Sequence, residues 1–125
     1  MKMKLVLVPV PVADVDRAKS FYVEKLGFKV KCDVRMDAAH RVVQLTPPGS
    51  ACSIVFGTGM PQTKMRSGSL RGLHLAVTDI AKTRKSLAAR GVKVSAIAKV
   101  KDRDGNTIRF VSFSDPDGNT WALFQ

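Results

Sequence analysis

The sequence predicts an α+β fold in which one βαβββ unit is used twice and the two curved mixed sheets form a cleft. A repeat is the first observation behind that reading. VADVDRAKSFYVEKLGFKV (residues 12–30) overlays VTDIAKTRKSLAARGVKV (residues 77–94), each passing from a strand end through Asp, a helix and Gly into a hydrophobic-Lys-Val opening. The offset is 65 between Asp14 and Asp79 and 64 between Gly27 and Gly91, close to half of the 125-residue chain. The third observation is that each glycine is followed by three stretches of alternating or β-branched residues set off by turn formers.

In the first unit, residues 4–12 read as a strand. Asp14 is a helix N-cap, and Val15, Ala18, Phe21, Tyr22 and Leu26 recur at helical spacing until Gly27 closes the helix. Strands are expected near residues 28–34, 40–45 and 52–56. In the second unit residues 73–77 form a strand, Asp79 caps a helix with Ile80, Thr83, Leu87 and Ala88 inward, and Gly91 ends it. Strands follow near residues 92–97, 107–113 and 120–124. The units are about 1–57 and 72–125 of one domain. The join, residues 58–71, is rich in Gly, Ser and Thr and lacks periodicity, which predicts a surface loop serving as lid, hinge or plain linker.

The phrase D-x-D-G-N-T occurs twice, at residues 102–107 and 115–120. A calcium loop requires Gly at its sixth position and a bidentate Glu at its twelfth. From Asp102 those positions hold Thr107 and Phe113, so the spacing excludes that loop type. Asp-Gly and Gly-Asn instead suit the positive φ of a hairpin turn.

Composition narrows the function. The net charge is +11, with 21 Lys and Arg against 10 Asp and Glu, which favours anionic or neutral ligands over cationic ones. The basic residues carry no recognised nucleic-acid motif, and with 6% aromatic residues there is no aromatic run for base stacking, so nucleic acid is not the expected partner. No run reaches the length of a membrane span. The start, MKMKLVLVPVPV, is interrupted by Pro9 and Pro11 and has no small-residue cleavage site, so it reads as a strand of a cytoplasmic protein and not as a signal peptide. Cys32 and Cys52 lie in no metal-binding or disulfide pattern and are expected to be free thiols.

The opening V-x-D-V-D-R-A-x-x-F-Y-x-x-x-L-G-F (Asp14 to Phe28 within it) and the closing D-P-D-G-N-x-W (Asp115 to Trp121) resemble the vicinal-oxygen-chelate superfamily. That family includes glyoxalase I, extradiol dioxygenases and bleomycin-binding resistance proteins, and the resemblance covers nearly the whole chain. It implies the doubled βαβββ fold, a cleft and a homodimer. It also implies where a metal would be held: Leu7 on the first strand, Val55 on the fourth, Gly72 or His74 on the fifth and Ala122 on the last. The only glutamate, Glu24, lies on the first helix, so a family-type site with a glutamate on the last strand cannot be built.

The expected site is therefore a cleft without metal or other cofactor. Its ligand-binding candidates are Gln44, Ser53, Val55, His74, Arg109 and Ala122. His74 is also the candidate catalytic residue, because an inward imidazole among small residues can act as acid, base or hydrogen-bond partner near neutral pH. Trp121 alternates with Ala122 and belongs to the core, and His40 is expected at the surface. Two readings follow. One is a metal-independent binding protein for a small neutral or anionic molecule, which a cationic bleomycin would not suit. The other is a glyoxalase-like lyase or isomerase that uses His74 as acid or base, with or without a divalent metal held through atypical ligands.

Overall fold

The computed structural model describes residues 1–61 and 64–125, and both of its helices begin at an aspartate cap. Gln62 and Thr63, within the expected joining loop, lie outside the described residues. Asp14 accepts a hydrogen bond from the Arg17 N–H and Asp79 from the Lys82 N–H, each at 3.0 Å. These contacts satisfy donors that the first helical turn leaves open. They start α1 (Val15–Ser20) and α2 (Ile80–Ala89).

Eight strands surround them: β1 (Leu7–Pro9), β2 (Lys29–Asp37), β3 (His40–Thr46), β4 (Ser53–Thr58), β5 (Leu73–Ala76), β6 (Ala98–Lys101), β7 (Thr107–Ser114) and β8 (Thr120–Phe124). They form two sheets, ordered β1-β4-β3-β2 and β5-β8-β7-β6. In each sheet the strand before the helix pairs in parallel with the last strand of its unit, and the other pairings are antiparallel. The repeat is therefore present as topology.

The one residue by which the first helical segment exceeds the second has a physical form. It is taken up by a π-helical turn, Phe21–Lys25, in which the Leu26 N–H reaches the Phe21 carbonyl at 3.3 Å. Phe21 and Tyr22, adjacent in sequence, are both buried there. The regular α2 has a narrower inward face. Ile80 and Leu87 are buried and Thr83 is half-buried, but Ala88, expected inward, is exposed, because it lies about 100° around the helix from Leu87.

Tyr22 joins the two units. Its ring lies 5.5 Å from Phe28, 6.0 Å from Phe56 and 5.7 Å from Trp121 between centroids. Its hydroxyl donates to Asp115 Oδ2 at 2.7 Å and accepts from Trp121 Nε1 at 3.0 Å. Burial, reinforced by the Asp115 carboxylate, raises the Tyr22 pKa, so the phenol remains a donor. One hydrophobic cluster runs from Val10 and Val43 through Tyr22 and Phe56 to Val111 and Leu123.

Both copies of D-x-D-G-N-T are hairpin turns with the same bonding. Asp102 Oδ1 accepts from the N–H groups of Asp104 and Asn106, and Asp115 Oδ1 accepts from those of Asp117 and Asn119. Gly105 and Gly118 supply the positive φ at +82° and +97°. Each leading carboxylate thus holds the N–H groups of its own turn. The second turn is also tied to distant chain: Asn119 accepts from the Leu70 N–H and donates to the Pro11 carbonyl, and Asp117 Oδ1 accepts from Ala13 N–H and Arg17 Nη2.

Two expected strands are shorter than the sequence suggests. Within residues 4–12 only Leu7–Pro9 form β1, because β4 begins at Ser53, whose N–H bonds the Val6 carbonyl; the preceding residues are exposed. Residues 92–97 are not a strand. Val92, Val94 and Ile97 pack on the core, the Ser95 carbonyl accepts from Arg84 Nε at 2.6 Å, and Ser95 alone bridges to Ser112 of β7.

On the outside of the first unit, Asp33 accepts from Arg41 and Lys19. The Arg41 guanidinium, followed by the Lys19 ammonium, holds the Asp33 carboxyl well below the usual carboxylate range. A depressed folded-state pKa stabilises the fold above the unfolded value of about 4, and that contribution is lost as pH falls through the folded value. Asp33→Asn is expected to flatten the decline in stability below about pH 4, measured by urea melts across acid pH. No helix of the described residues is long and apolar enough to cross a membrane.

Candidate functional site

Strand alternation in the second sheet separates two faces. Leu73, Trp121 and Phe113 align across one face, as do Leu75, Leu123 and Val111, and these residues belong to or pack on the core. The opposite face carries His74 beside Ala122 and Ser112, then Ala76 beside Phe124 and Phe110. The exposed His74 ring meets Phe110 and Phe124 edge-on, with centroids 6.1 Å and 5.8 Å away.

His74 Nδ1 lies 2.6 Å from the Gly72 carbonyl oxygen. A carbonyl only accepts, so Nδ1 carries the hydrogen and, in the neutral ring, Nε2 presents a lone pair. Gly72 makes this contact feasible: its φ of +76° turns the chain back, while its N–H bonds Thr120 Oγ1 at 2.7 Å. The ring is thus aimed by its own strand and flanked by aromatic edges. It can accept from a hydroxyl or N–H of a ligand, or donate once protonated.

In the first sheet the matching face holds Leu7 beside Ser53, and Pro9, Val55, Gln44 and Cys32 in register. Ser53 and Val55 are buried and Gln44 is half-buried. Where the two units meet, a cleft of about 320 Å³ is lined by Leu5, Cys52 and Ser53 from one side and Gly72, His74 and Leu75 from the other. His74 also borders an adjoining 280 Å³ hollow with Ser50 and Ala76.

Of the residues expected from sequence, Ser53 and His74 come together in this cleft, and Ala122 lies beside His74 on the sheet. Gln44 and Val55 share the Ser53 face but do not line that cleft. Arg109 has the parity of Val111 and Phe113 and lies on the other face of β7. Ser53 Oγ is hydrogen-bonded to Thr46 Oγ1 at 2.7 Å and has no neighbouring base, which leaves it a binding group and not a nucleophile. Phe110 and Phe124 were not singled out from sequence. Their one sign is that each falls on the His74 side of its strand's alternation.

The family model described as Glyoxalase/Bleomycin resistance protein/Dioxygenase superfamily matches residues 4–123. The chain belongs to this superfamily. Among solved structures, it is 35% identical to TnmS3, an antibiotic binding protein from Streptomyces sp. CB03234, with a TM-score of 0.81 over 98% of this chain and 94% of that one. It is 37% identical to a glyoxalase/bleomycin resistance protein from the same organism, with a TM-score of 0.79 over 98% of this chain and 100% of that one. YwkD, an uncharacterized protein of Bacillus subtilis (strain 168), is 29% identical over 90% of this chain and 89% of its own length.

The superfamily's metal positions do not suit a metal here. Leu7, Val55 and Ala122 carry no side-chain donor atoms, which leaves His74 Nε2 as a single possible donor at these positions. Among the described residues, no three or more His, Cys, Asp or Glu side chains gather where an ion could be held. A divalent ion needs about three or more such protein ligands, so no step through a metal is derived for this site.

Proposed function

We propose that this superfamily member binds a small neutral or anionic molecule in its cleft without a metal. The observation that carries the reading is His74, an exposed residue that lines a cleft shared by both units, with Nδ1 bonded to Gly72 and its ring in contact with Phe110 and Phe124 behind the cleft wall. A planar ligand suits the site in either form: its hydroxyl or N–H donates to the Nε2 of a neutral imidazole, and a carboxylate accepts from the Nε2–H of a protonated one. TnmS3, described as an antibiotic binding protein, supports a binding role by likeness.

The test is amide NMR of the isotope-labelled chain titrated with 2-naphthol and 2-naphthoate, with and without EDTA. Saturable shifts at the cleft residues Ser53, Gly72 and His74, and at Phe110 and Phe124 beside the His74 ring, that ignore EDTA, with the probes recovered unchanged, are expected. His74→Ala should weaken binding about tenfold at an unchanged melting temperature. Retention of about one equivalent of divalent metal, or loss of binding on chelation, would sink the reading. Turnover that disappears in His74→Ala would replace it with the lyase or isomerase reading, in which Nε2 is the base.

The reading includes a homodimer. Met3, Leu5 and Val6 are 82%, 73% and 60% exposed, and Leu5 lines the cleft, so a second copy that covers this arm would also close the site. Deleting residues 1–5 is expected to convert dimer to monomer in sedimentation velocity. A monomer before the deletion would remove the dimer from the proposal.

A further inference from the structure

We infer that a second ligand site, for a small organic anion, lies across the outer edge of β7. A cleft of about 610 Å³ opens there between the π-helical turn, the segment after α2 and β7, and none of His74, Phe110 or Phe124 borders it. Its volume falls within the roughly 300–1,000 Å³ of small-molecule pockets.

The basic side chains at the cleft outnumber the acidic ones. Lys25 and Lys93 both line it, and neither ammonium joins an ion pair among the described residues. The one carboxylate at its wall, Asp115, is buried and already accepts from Tyr22, Asn119 and Asp117. Arg90, next to Gly91, bonds the Lys25 carbonyl at 3.1 Å, which adds a third cation nearby and anchors the end of the turn that carries Lys25. Glu24 borders a neighbouring depression and not this cleft.

The strand edge supplies a donor. β6 stops pairing with β7 at Phe110, and beyond it only Ser95 reaches Ser112. Arg109 exchanges both backbone bonds with Gln125, so Arg109, Val111 and Phe113 bond toward β8 while Phe110, Ser112 and Ser114 face outward. The Ser114 N–H therefore points along the wall of the cleft. Phe21, Phe113 and Pro116 add apolar surface beside it. Two free ammonium groups, an outward N–H and an apolar wall together suit a carboxylate or phosphate carried on a compact hydrophobic body.

The site is tested by amide NMR of the full chain titrated with phenyl phosphate, benzoate and inorganic phosphate. Phenyl phosphate and benzoate are expected to give saturable shifts at Gly91, Lys93 and Ser114, with inorganic phosphate at least about tenfold weaker. The Lys25→Ala, Lys93→Ala double variant should lose about tenfold in affinity, Lys25→Arg with Lys93→Arg should retain it, and His74→Ala should leave it unchanged. Spectral dispersion verifies folding, and the Gln pair replaces the Ala pair if dispersion is lost. Absent shifts, shifts confined to His74, Phe110 and Phe124, equal binding of inorganic phosphate, or an unaffected double variant would each overturn the inference.

Discussion

Asp115→Ala is expected to lose about 3–5 kcal/mol of unfolding free energy, while Asp102→Ala, at the same place in the twin turn, loses far less. Both carboxylates hold the N–H groups of a D-x-D-G-N turn. Their surroundings differ. Asp115 is 5% exposed and also receives the Tyr22 hydroxyl at 2.7 Å and the Asn119 side-chain amide at 2.8 Å. Removing it strands these donors where water cannot replace the acceptor, and buried unsatisfied groups cost about 1–3 kcal/mol each. Around Asp102, water can reach the N–H groups. Its carboxyl is held low mainly by the Asn106 backbone N–H, so that turn also weakens as acid protonates it. Equal losses in urea melts of the two variants would show that turn geometry, and not burial, sets the cost.

Gly68→Ala is expected to cost about 3 kcal/mol or more, from a positive φ and a backbone collision acting together. The φ is +75°, and a Cβ there would lie 1.9 Å from the Asp117 carbonyl oxygen. Neither partner can step aside: the Gly68 N–H bonds the Pro11 carbonyl at 3.1 Å, and Arg71 Nη1 donates to the carbonyls of both Gly68 and Gly118. Gly49→Ala is the control. Its φ is +80° but nothing lies within 4 Å of the added atom, so only the conformational cost of about 1–2 kcal/mol remains. If the two substitutions cost the same, the 1.9 Å approach is not a real constraint.

These close contacts also mark where the sequence stops being legible. The repeat, the two aspartate caps and the closing glycines follow from local patterns, and most strands fall where alternation puts them. The offset difference at Gly27 was visible, but a periodic reading cannot say that a π turn absorbs it. Residues 92–97 look like a strand because Val92, Val94 and Ile97 are β-branched; burial alone accounts for them, and Arg84 takes the Ser95 carbonyl. The loop to Arg71 read as solvated, yet its end is bound to the second turn through Asn119 and Gly118.

The geometry of the candidate site was legible to a similar depth. His74 stood out because it alternates with Gly72 and Ala76, whereas its neighbours Phe110 and Phe124 look like any core aromatics until the sheet register is known. The parity of Arg109 with Val111 and Phe113 was available in the sequence and places it on the core side of β7. The Tyr22–Asp115 bond spans 93 residues, and no local pattern encodes it.

The twin turns leave the chain with unequal tolerance for change. The second is tied to Pro11, Ala13, Tyr22 and Leu70, so added length there would pull on both units at once. The first satisfies its own backbone from Asp102 and, among the described residues, contacts no distant residue through its side-chain bonds. The β6–β7 hairpin tip is consequently the place where this scaffold can accept a grafted loop or an inserted peptide, since the segment that must open carries none of the bonds between the units.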